Sequence, residues 1–251
     1  MRPAVNGGSD TLSTPVLIDK ARILAEYAAQ LSQSEIIQTM KVSGALASKT
    51  KELMAEWTDQ SSRQRAAIDS FLGDIYSGLQ IAGWSDADKK YADVHLRILS
   101  GLYGILKPLD GIYPYRLEMG YKLPKKEYAN LYTFWGESIV DTLPKNEVII
   151  DLSAVEYGKT ITKFVDASDV VSPRFLTISP KTGEPIFVVV HAKIARGAFA
   201  SWIIRNKIED ISELKEFNEI GYEYSKSLST NAVPVFVCQK FEGLGLSVRL
   251  S

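Results

Sequence analysis

The chain has 251 residues, of which 45% are hydrophobic and 24% charged, and its formal net charge is −1. This size and composition predict one domain with a full core, and the near-neutral charge excludes strong, non-specific binding of nucleic acid over the whole surface. The single cysteine, Cys238, excludes an internal disulfide and a cysteine-held iron–sulfur cluster within one chain, and with only two histidines we expect no metal and no cofactor.

The first half of the chain is predicted to be helical. Residues 1–10 contain Gly7-Gly8-Ser9 and predict a poorly ordered tail. Beyond them, apolar residues recur at helical spacing, and turn residues separate the repeats. The predicted helices cover residues 15–31, 33–42, 45–58 and 64–72.

Within this half, residues 33–58 resemble a helix–hairpin–helix, in which a tight turn exposes backbone N–H groups to a phosphate. Ala47, four positions after Ser43, is the small residue that such a hairpin needs where its helices pack. The turn positions that normally hold glycine are Lys41 and Ser43, however, and Gly44 is displaced by one. The segment therefore predicts either a DNA contact through Lys41, Ser43, Gly44 and Lys49 or an ordinary helical hairpin.

Residues 88–106 are predicted to form one helix with two distinct faces. One face forms a buried stripe of Tyr91, Val94, Ile98, Leu102 and Ile105. A different face carries a guanidinium and a hydroxyl beside small residues, namely Arg97, Ser100, Gly101 and Gly104. Missing side chains leave room, so this face predicts an anion site that includes Arg97 and Ser100.

Pro108 ends that helix, and residues 113–119 are predicted to be extended with alternating faces. Arg116 and Glu118 then share one face. From Arg97 to Lys126 there are six basic residues against two acidic ones, in a chain of net charge −1. The region therefore predicts a local basic cleft.

The second half of the chain is predicted to supply a mixed sheet, because its apolar runs are short and rich in β-branched residues. The predicted strands cover residues 147–152, 170–178, 185–191 and 233–240, with a hairpin turn at 180–185. The fold class is thus mixed α/β (α+β): a single compact domain, residues 1–251, with a helical N-terminal half around a sheet formed mainly by the C-terminal half.

The apolar run from Ile186 to Val190 predicts a strand buried on both faces, which ends at His191 as a core histidine and passes directly into a helix. That helix carries Lys193 and Arg196 beside the small residues Gly197 and Ala200, which leave room for a ligand as on the earlier face with Arg97. Basic side chains near a helix N-terminus favour anion binding. We therefore predict that Arg97, Arg116, Lys193 and Arg196 meet in one cleft.

The run of residues 95–119, from His95 to Met119, closely resembles the signature of the bacterial YaaA peroxide-stress family. Collinear likeness continues at residues 73–79, 131–136, 151–157, 192–197 and 217–222. The resemblance implies a cytoplasmic protein that protects against hydrogen peroxide, limits damage linked to unincorporated iron and binds DNA. No apolar run approaches the roughly 20 residues that span a bilayer, and the N-terminus has no apolar signal segment, so we expect no membrane contact.

The residues leave an alternative open, namely an enzyme acting on a nucleotide-like or other anionic small molecule in the same cleft. Its acid and base groups would be His95, Tyr103, Glu118 and Glu156. The basic residues of the predicted cleft would then hold the substrate's negative charge. Whether the protein is an enzyme stays undecided at this point.

Overall fold

The computed structural model describes residues 1–4 and 12–245. Their helices are α1 (Ile18–Ala29), α2 (Gln33–Met40), α3 (Gly44–Ala55), α4 (Ala67–Ser70), α5 (Asp74–Leu79), α6 (Asp86–His95), α7 (Leu131–Trp135), α8 (Val155–Thr162) and α9 (Val189–Asn206). Their strands are β1 (Arg65–Ala66), β2 (Ile98–Ser100), β3 (Gly104–Leu106), β4 (Gly111–Ile112), β5 (Ile149–Ile150), β6 (Val170–Val171), β7 (Arg174–Ile178), β8 (Pro185–Ile186), β9 (Tyr222–Tyr224) and β10 (Val235–Cys238). The predicted mixed α+β class is confirmed.

The described residues group into two compact units. The first is drawn from Met1–Phe71, Leu96–Lys145 and Ser153–Val165, and the second from Leu72–His95, Asn146–Leu152 and Asp166–Ser251. That residues 1–251 form one domain remains a prediction. The predicted tail at residues 1–10 lies outside the described residues from residue 5 onward, and before that point the Arg2 N–H donates to the Ser70 carbonyl at 2.8 Å.

In the first unit, the predicted helices α1, α2 and α3 are confirmed, and α2 and α3 begin at local capping signals. Ser32 and Glu35 form a reciprocal capping box at the start of α2, in which the Ser32 backbone N–H donates to the Glu35 carboxylate at 2.8 Å. Ser43 caps α3 by accepting from the Leu46 N–H. The prediction of a helix over residues 64–72 is wrong in its first part, because β1 pairs antiparallel with β4 before the short helix α4 begins.

The prediction of one helix over residues 88–106 is wrong. Helix α6 ends at His95, and β2 and β3 form an antiparallel hairpin in which Ile98 pairs with Leu106 and Ser100 with Gly104. Gly104 adopts a φ of +73°, a conformation that glycine supplies without steric cost. Val94, assigned to the buried stripe, is 64% exposed.

The alternation predicted for residues 113–119 is confirmed from Tyr115 onward, whereas Pro114 is buried like both of its neighbours. Tyr113, Tyr115, Leu117 and Met119 are buried, while Arg116 is half-buried and Glu118 is exposed. Arg116 and Glu118 therefore share the outward face of this segment.

The second unit contains the four-stranded mixed sheet, whose spatial order is β8-β7-β10-β9. Strand β10 runs parallel to β7 and antiparallel to β9, and β7 with β8 forms the predicted hairpin. An aromatic core packs between this sheet and α9, with ring centroids 5.0–6.2 Å apart, and consists of Phe175, Phe199, Phe217, Tyr222 and Phe236. Beside it, β5 and β6 form a short parallel pair.

Residues 185–191 do not form the predicted buried strand. Strand β8 ends at Ile186, α9 begins at Val189, and His191 lies in the first turn of that helix. Phe187 and Val189 are each 53% exposed, so the apolar run is not covered on both faces. Within the described residues, no helix combines the length and the apolar character needed to cross a membrane.

Candidate functional site

Helices α2 and α3 form a tight hairpin whose turn lies at the surface. Lys41 ends α2 in the left-handed conformation (φ 52°, ψ 46°), and its N–H donates to the Ile37 carbonyl at 2.9 Å. Lys41, Ser43, Gly44 and Lys49 are exposed, whereas Ala47 is fully buried where the two helices pack. The two helices and the turn between them are thus present, while the likeness to a helix–hairpin–helix and its contact with DNA remain predictions.

The glycines of the predicted anion face make room for the protein's own chain. A Cβ added to Gly101 would lie 2.1 Å from the Leu117 carbonyl oxygen, and one added to Gly104 would lie 2.9 Å from the Trp135 ring. These two positions are therefore small because the β2–β3 hairpin packs closely within the first unit.

The predicted anion ligand Ser100 is 1% exposed and is already engaged. Its hydroxyl accepts the Tyr103 backbone N–H at 2.8 Å and shares a 2.7 Å hydrogen bond with the Tyr115 hydroxyl. The expectation of an accessible Ser100 is therefore wrong. Arg97 is half-buried, and its guanidinium donates to the Leu96 carbonyl at 2.8 Å.

Tyr103, one of the predicted acid–base groups, lies in the core of the first unit. Its hydroxyl accepts the Trp57 indole N–H at 2.9 Å and the Tyr113 backbone N–H at 3.0 Å. Burial strongly raises the pKa of Tyr103, so the hydroxyl stays protonated. In this position Tyr103 holds neighbouring segments together.

Glu118 and Glu156 lie in one cluster with three tyrosines and Arg116, all within the first unit. The Tyr157 hydroxyl donates to Glu118, which makes Tyr157 rather than Arg116 the hydrogen-bond partner of that carboxylate. A Cβ added to Gly120 would lie 3.0 Å from Glu156 Oε2, so this second carboxylate rests against the backbone of the extended segment. We call Arg116, Glu118, Tyr121, Tyr132, Glu156 and Tyr157 the tyrosine–glutamate cluster.

The surroundings of the three tyrosines of this cluster raise their pKa values. Burial raises the pKa of Tyr157, and the Glu118 carboxylate raises it further. Burial also raises the pKa of Tyr121, and Arg116 opposes this shift through its charge and a hydrogen bond. The pKa of Tyr132 is raised mainly by burial and further by the negative charge of Glu156. All three phenols are therefore hydrogen-bond donors at neutral pH.

In the second unit, Lys193 and Arg196 are the fifth and eighth residues of α9, so they lie beyond the first turn, where the free N–H groups are. Lys193 is exposed and Arg196 half-buried. Burial lowers the pKa of Arg196, and the Asp151 carboxylate opposes that shift. Gly197, which we expected to admit a ligand, instead admits helix α5, because its added Cβ would lie 2.0 Å from the Ile75 carbonyl oxygen.

The two histidines of the second unit have different surroundings. His95 is exposed at the end of α6, with its ring stacked on Tyr91 at 4.1 Å between centroids. The His191 Nδ1 lies 3.0 Å from the Thr177 hydroxyl, and burial lowers the pKa of this ring. Among residues 1–4 and 12–245, no three histidine, cysteine, aspartate or glutamate side chains form a group suited to holding a metal ion.

Arg97 and Arg116 belong to the first unit, and Lys193 and Arg196 to the second. Their meeting in one cleft therefore stays a prediction. The residue that sequence reasoning missed is Tyr157, although one of the family-like runs, residues 151–157, ends on it. The feature of the sequence that could have identified Tyr157 is its position directly after Glu156, at the start of a helix.

Comparison with known proteins gives one consistent result. A family model described as peroxide stress protein YaaA matches residues 2–228. The chain is similar to a UPF0246 protein of Salinispora tropica, with 56% identity over 99% of this chain and 94% of the relative. It is also similar to UPF0246 proteins of Marinomonas sp. (41% identity, 91% of this chain and 89% of the relative) and Clostridium beijerinckii (37% identity, 90% and 89%).

Proposed function

The chain belongs to the family of peroxide stress protein YaaA, and from this membership we propose that it acts by binding DNA. In this proposal the protein works in the cytoplasm, where it protects against hydrogen peroxide and limits damage linked to unincorporated iron. The contact with DNA is local and salt-sensitive, because a chain of net charge −1 has no general excess of positive charge.

The observation that carries the proposal is the surface of the α2–α3 hairpin. The first N–H groups of a helix have no acceptor within the helix, and the helix dipole places partial positive charge there. At the start of α3 these groups stand at the exposed Gly44 and Ala45, next to the exposed Lys41. A hydrogen bond of 2.9 Å from the Gln33 amide to the Gly44 carbonyl fixes the turn. Such a surface suits a backbone phosphate.

A salt titration tests this assignment. The double change Lys41→Ala with Lys49→Ala should weaken duplex DNA binding and reduce the slope of log affinity against log salt by up to about two, roughly 0.9 for each lost phosphate contact. Binding is followed by fluorescence anisotropy of a labelled duplex. Lys90→Ala with Lys226→Ala is the matched control, since both lysines are exposed and lie in the second unit. An unchanged slope in the first variant would remove the hairpin from the DNA contact.

One observation favours a second candidate, an enzyme acting on a nucleotide-like or other anionic small molecule. The hydrogen bond between Tyr157 and Glu118 joins a phenol to a carboxylate, with Arg116 two residues away on the same face. A carboxylate and a protonated phenol are groups that catalyse proton transfer. In this case, Glu118→Gln should lower turnover by about 100-fold or more while the fold stays intact.

A further inference from the structure

The tyrosine–glutamate cluster is formed by three separate segments of the first unit. Arg116, Glu118 and Tyr121 come from the extended segment and the turn after it, Tyr132 comes from α7, and Glu156 with Tyr157 comes from the first turn of α8. The Tyr157–Glu118 hydrogen bond and the contact of Glu156 with Gly120 hold α8 to the extended segment. Both carboxylates are exposed, so a ligand can reach them.

Glu118 disfavours a phosphate at its own position. A phosphate drawn to Arg116 would meet the Glu118 carboxylate, which lies two residues away on the same face, and like charges repel. The group that suits Glu118 itself is therefore uncharged and supplies hydrogen-bond donors to carboxylate oxygens, and the phosphate of a nucleotide would lie away from it.

The hydrogen-bonding capacity of Glu118 points the same way. An ionised carboxylate has about four acceptor positions, and the Tyr157 hydroxyl occupies one of them, at Oε2. The oxygens can therefore accept two parallel N–H bonds from a planar ligand, as they do from a guanidinium.

The cluster also contains aromatic side chains. Tyr121, Tyr132 and Tyr157 are half-buried, and none of these residues is fully enclosed in the core. Within the described residues, these three rings stack on no other aromatic side chain, whereas Tyr27 and Tyr128, for example, stack on each other at 4.5 Å. Unpaired tyrosine rings are surfaces on which nucleobases stack.

Arg116 retains a donor. Its Nε is buried and has no hydrogen-bond partner in the described part of the chain. A buried N–H without an acceptor is costly, so a small shift of the guanidinium toward a ligand carbonyl or ring nitrogen would recover a hydrogen bond. Arginine pairs in this way with the O6 and N7 atoms of guanine.

We propose that the tyrosine–glutamate cluster binds an unstacked nucleobase that presents adjacent N–H donors, as guanine does, with Glu118 accepting those donors. This inference rests on the proposed function, because a DNA strand held elsewhere on the protein is what brings such a base to the cluster. A base outside the helical stack exposes both its hydrogen-bonding edge and its ring face, which are the two features the cluster addresses. Thymine, whose imide N–H is flanked by two carbonyl groups, does not match a carboxylate.

The test uses nucleosides, which carry no phosphate. Binding of 2′-deoxyguanosine and of thymidine to the full chain is measured by saturation-transfer NMR and by titration calorimetry. We expect 2′-deoxyguanosine to bind and thymidine to bind at least about tenfold more weakly. Glu118→Gln should weaken 2′-deoxyguanosine binding by about tenfold or more, because an amide supplies one acceptor and places a donor where the second was.

The matched control is Glu26→Gln, which removes a carboxylate from the exposed face of α1 and should leave nucleoside binding unchanged. Tyr157→Phe is a second variant, useful if Glu118→Gln melts early, and it should also weaken binding. Absence of 2′-deoxyguanosine binding, equal binding of thymidine, or binding that neither cluster variant affects would each overturn the inference. Binding of magnesium or spermidine in the same titrations, without binding of 2′-deoxyguanosine, would also overturn the inference and would indicate a cation site.

These outcomes are separate from those of the proposed function. If the wild-type protein binds duplex DNA but no nucleoside, only the nucleobase site fails. If it binds 2′-deoxyguanosine but no DNA, the proposed function fails.

Discussion

Replacing Gly197 by alanine should destabilise the second unit, because α5 and α9 are in backbone contact at this residue. The added Cβ would lie 2.0 Å from the Ile75 carbonyl oxygen, 2.8 Å from the Leu79 nitrogen and 2.9 Å from the Gly78 carbonyl carbon. All three are main-chain atoms, so relief requires the helices to separate. Overpacking of this kind costs about 3 kcal/mol, and the better helix propensity of alanine returns about 1 kcal/mol.

A net loss of about 2 kcal/mol lowers the melting temperature of a chain of this size by about 4–8 °C. The measurement is thermal unfolding followed by circular dichroism. Gly83→Ala is the matched control, since an added Cβ there meets nothing within 4 Å and Gly83 is exposed. If both variants melted within about 2 °C of each other, Gly197 would not be needed for helix packing. Its small size would then again suggest space for a ligand.

Three further changes test other parts of the structure. Tyr103→Phe leaves the Trp57 indole N–H and a backbone N–H without their acceptor. Urea denaturation should therefore show that the free energy of unfolding falls by about 2–4 kcal/mol, and a fall below about 1 kcal/mol would contradict this role. Hydrogen bonds from Ser85 and the nearby Lys207 lower the pKa of Asp88 from 3.8 to about 2. The stability that ionised Asp88 adds to the fold is therefore complete above the unfolded pKa and is lost as the pH falls toward 2. Asp88→Asn should make the loss of unfolding free energy in acid less steep, measured by urea titrations at each pH, and an equally steep loss in the variant would refute the assignment. Glu118→Gln should leave the affinity for fully paired duplex DNA equal or better in an anisotropy titration, because stacked bases do not reach Glu118 and the change removes a negative charge. Weaker duplex binding at an unchanged melting temperature would contradict this.

Local signals in the sequence were sufficient for helices α2 and α3. Ser32 with Glu35, and Ser43, mark helix starts through contacts that span three residues, and such contacts depend little on the rest of the fold. The extended segment with Arg116 and Glu118 on one face was predictable for the same reason, because apolar and charged side chains alternate along consecutive residues.

Long-range packing decided the elements that were predicted wrongly. The apolar pattern of residues 98–106 fits a helix as well as a hairpin, and the choice depends on Gly101, which packs against the Leu117 carbonyl 16 residues later. The apolar run before His191 predicted a buried strand, yet helix α9 begins within that run. Periodicity alone cannot separate these cases when a run is this short.

The candidate site, like the fold, could be predicted only in its local features. Glu118 and Glu156 could be named as acidic groups in a basic region, but their closeness could not be derived, because the Tyr157–Glu118 hydrogen bond joins residues 39 positions apart. Small residues beside basic ones suggested ligand access at Gly101 and Gly197. In both places a neighbouring segment of the same unit fills the space.

The position of β10 in the sheet bears on how the second unit forms during protein synthesis. Strand β10 lies between β7 and β9, and its residues, Val235–Cys238, are made about sixty positions after its parallel partner, Arg174–Ile178. A ribosome that has released β7, β8 and α9 has therefore not yet supplied the strand that joins β7 to β9. Until residue 238 emerges, one edge of β7 stays open and Phe175 lacks the ring of Phe236 against which it stacks. An exposed edge and an uncovered aromatic core are the features that chaperones shield in nascent chains, so the growing polypeptide is most vulnerable to aggregation in this interval.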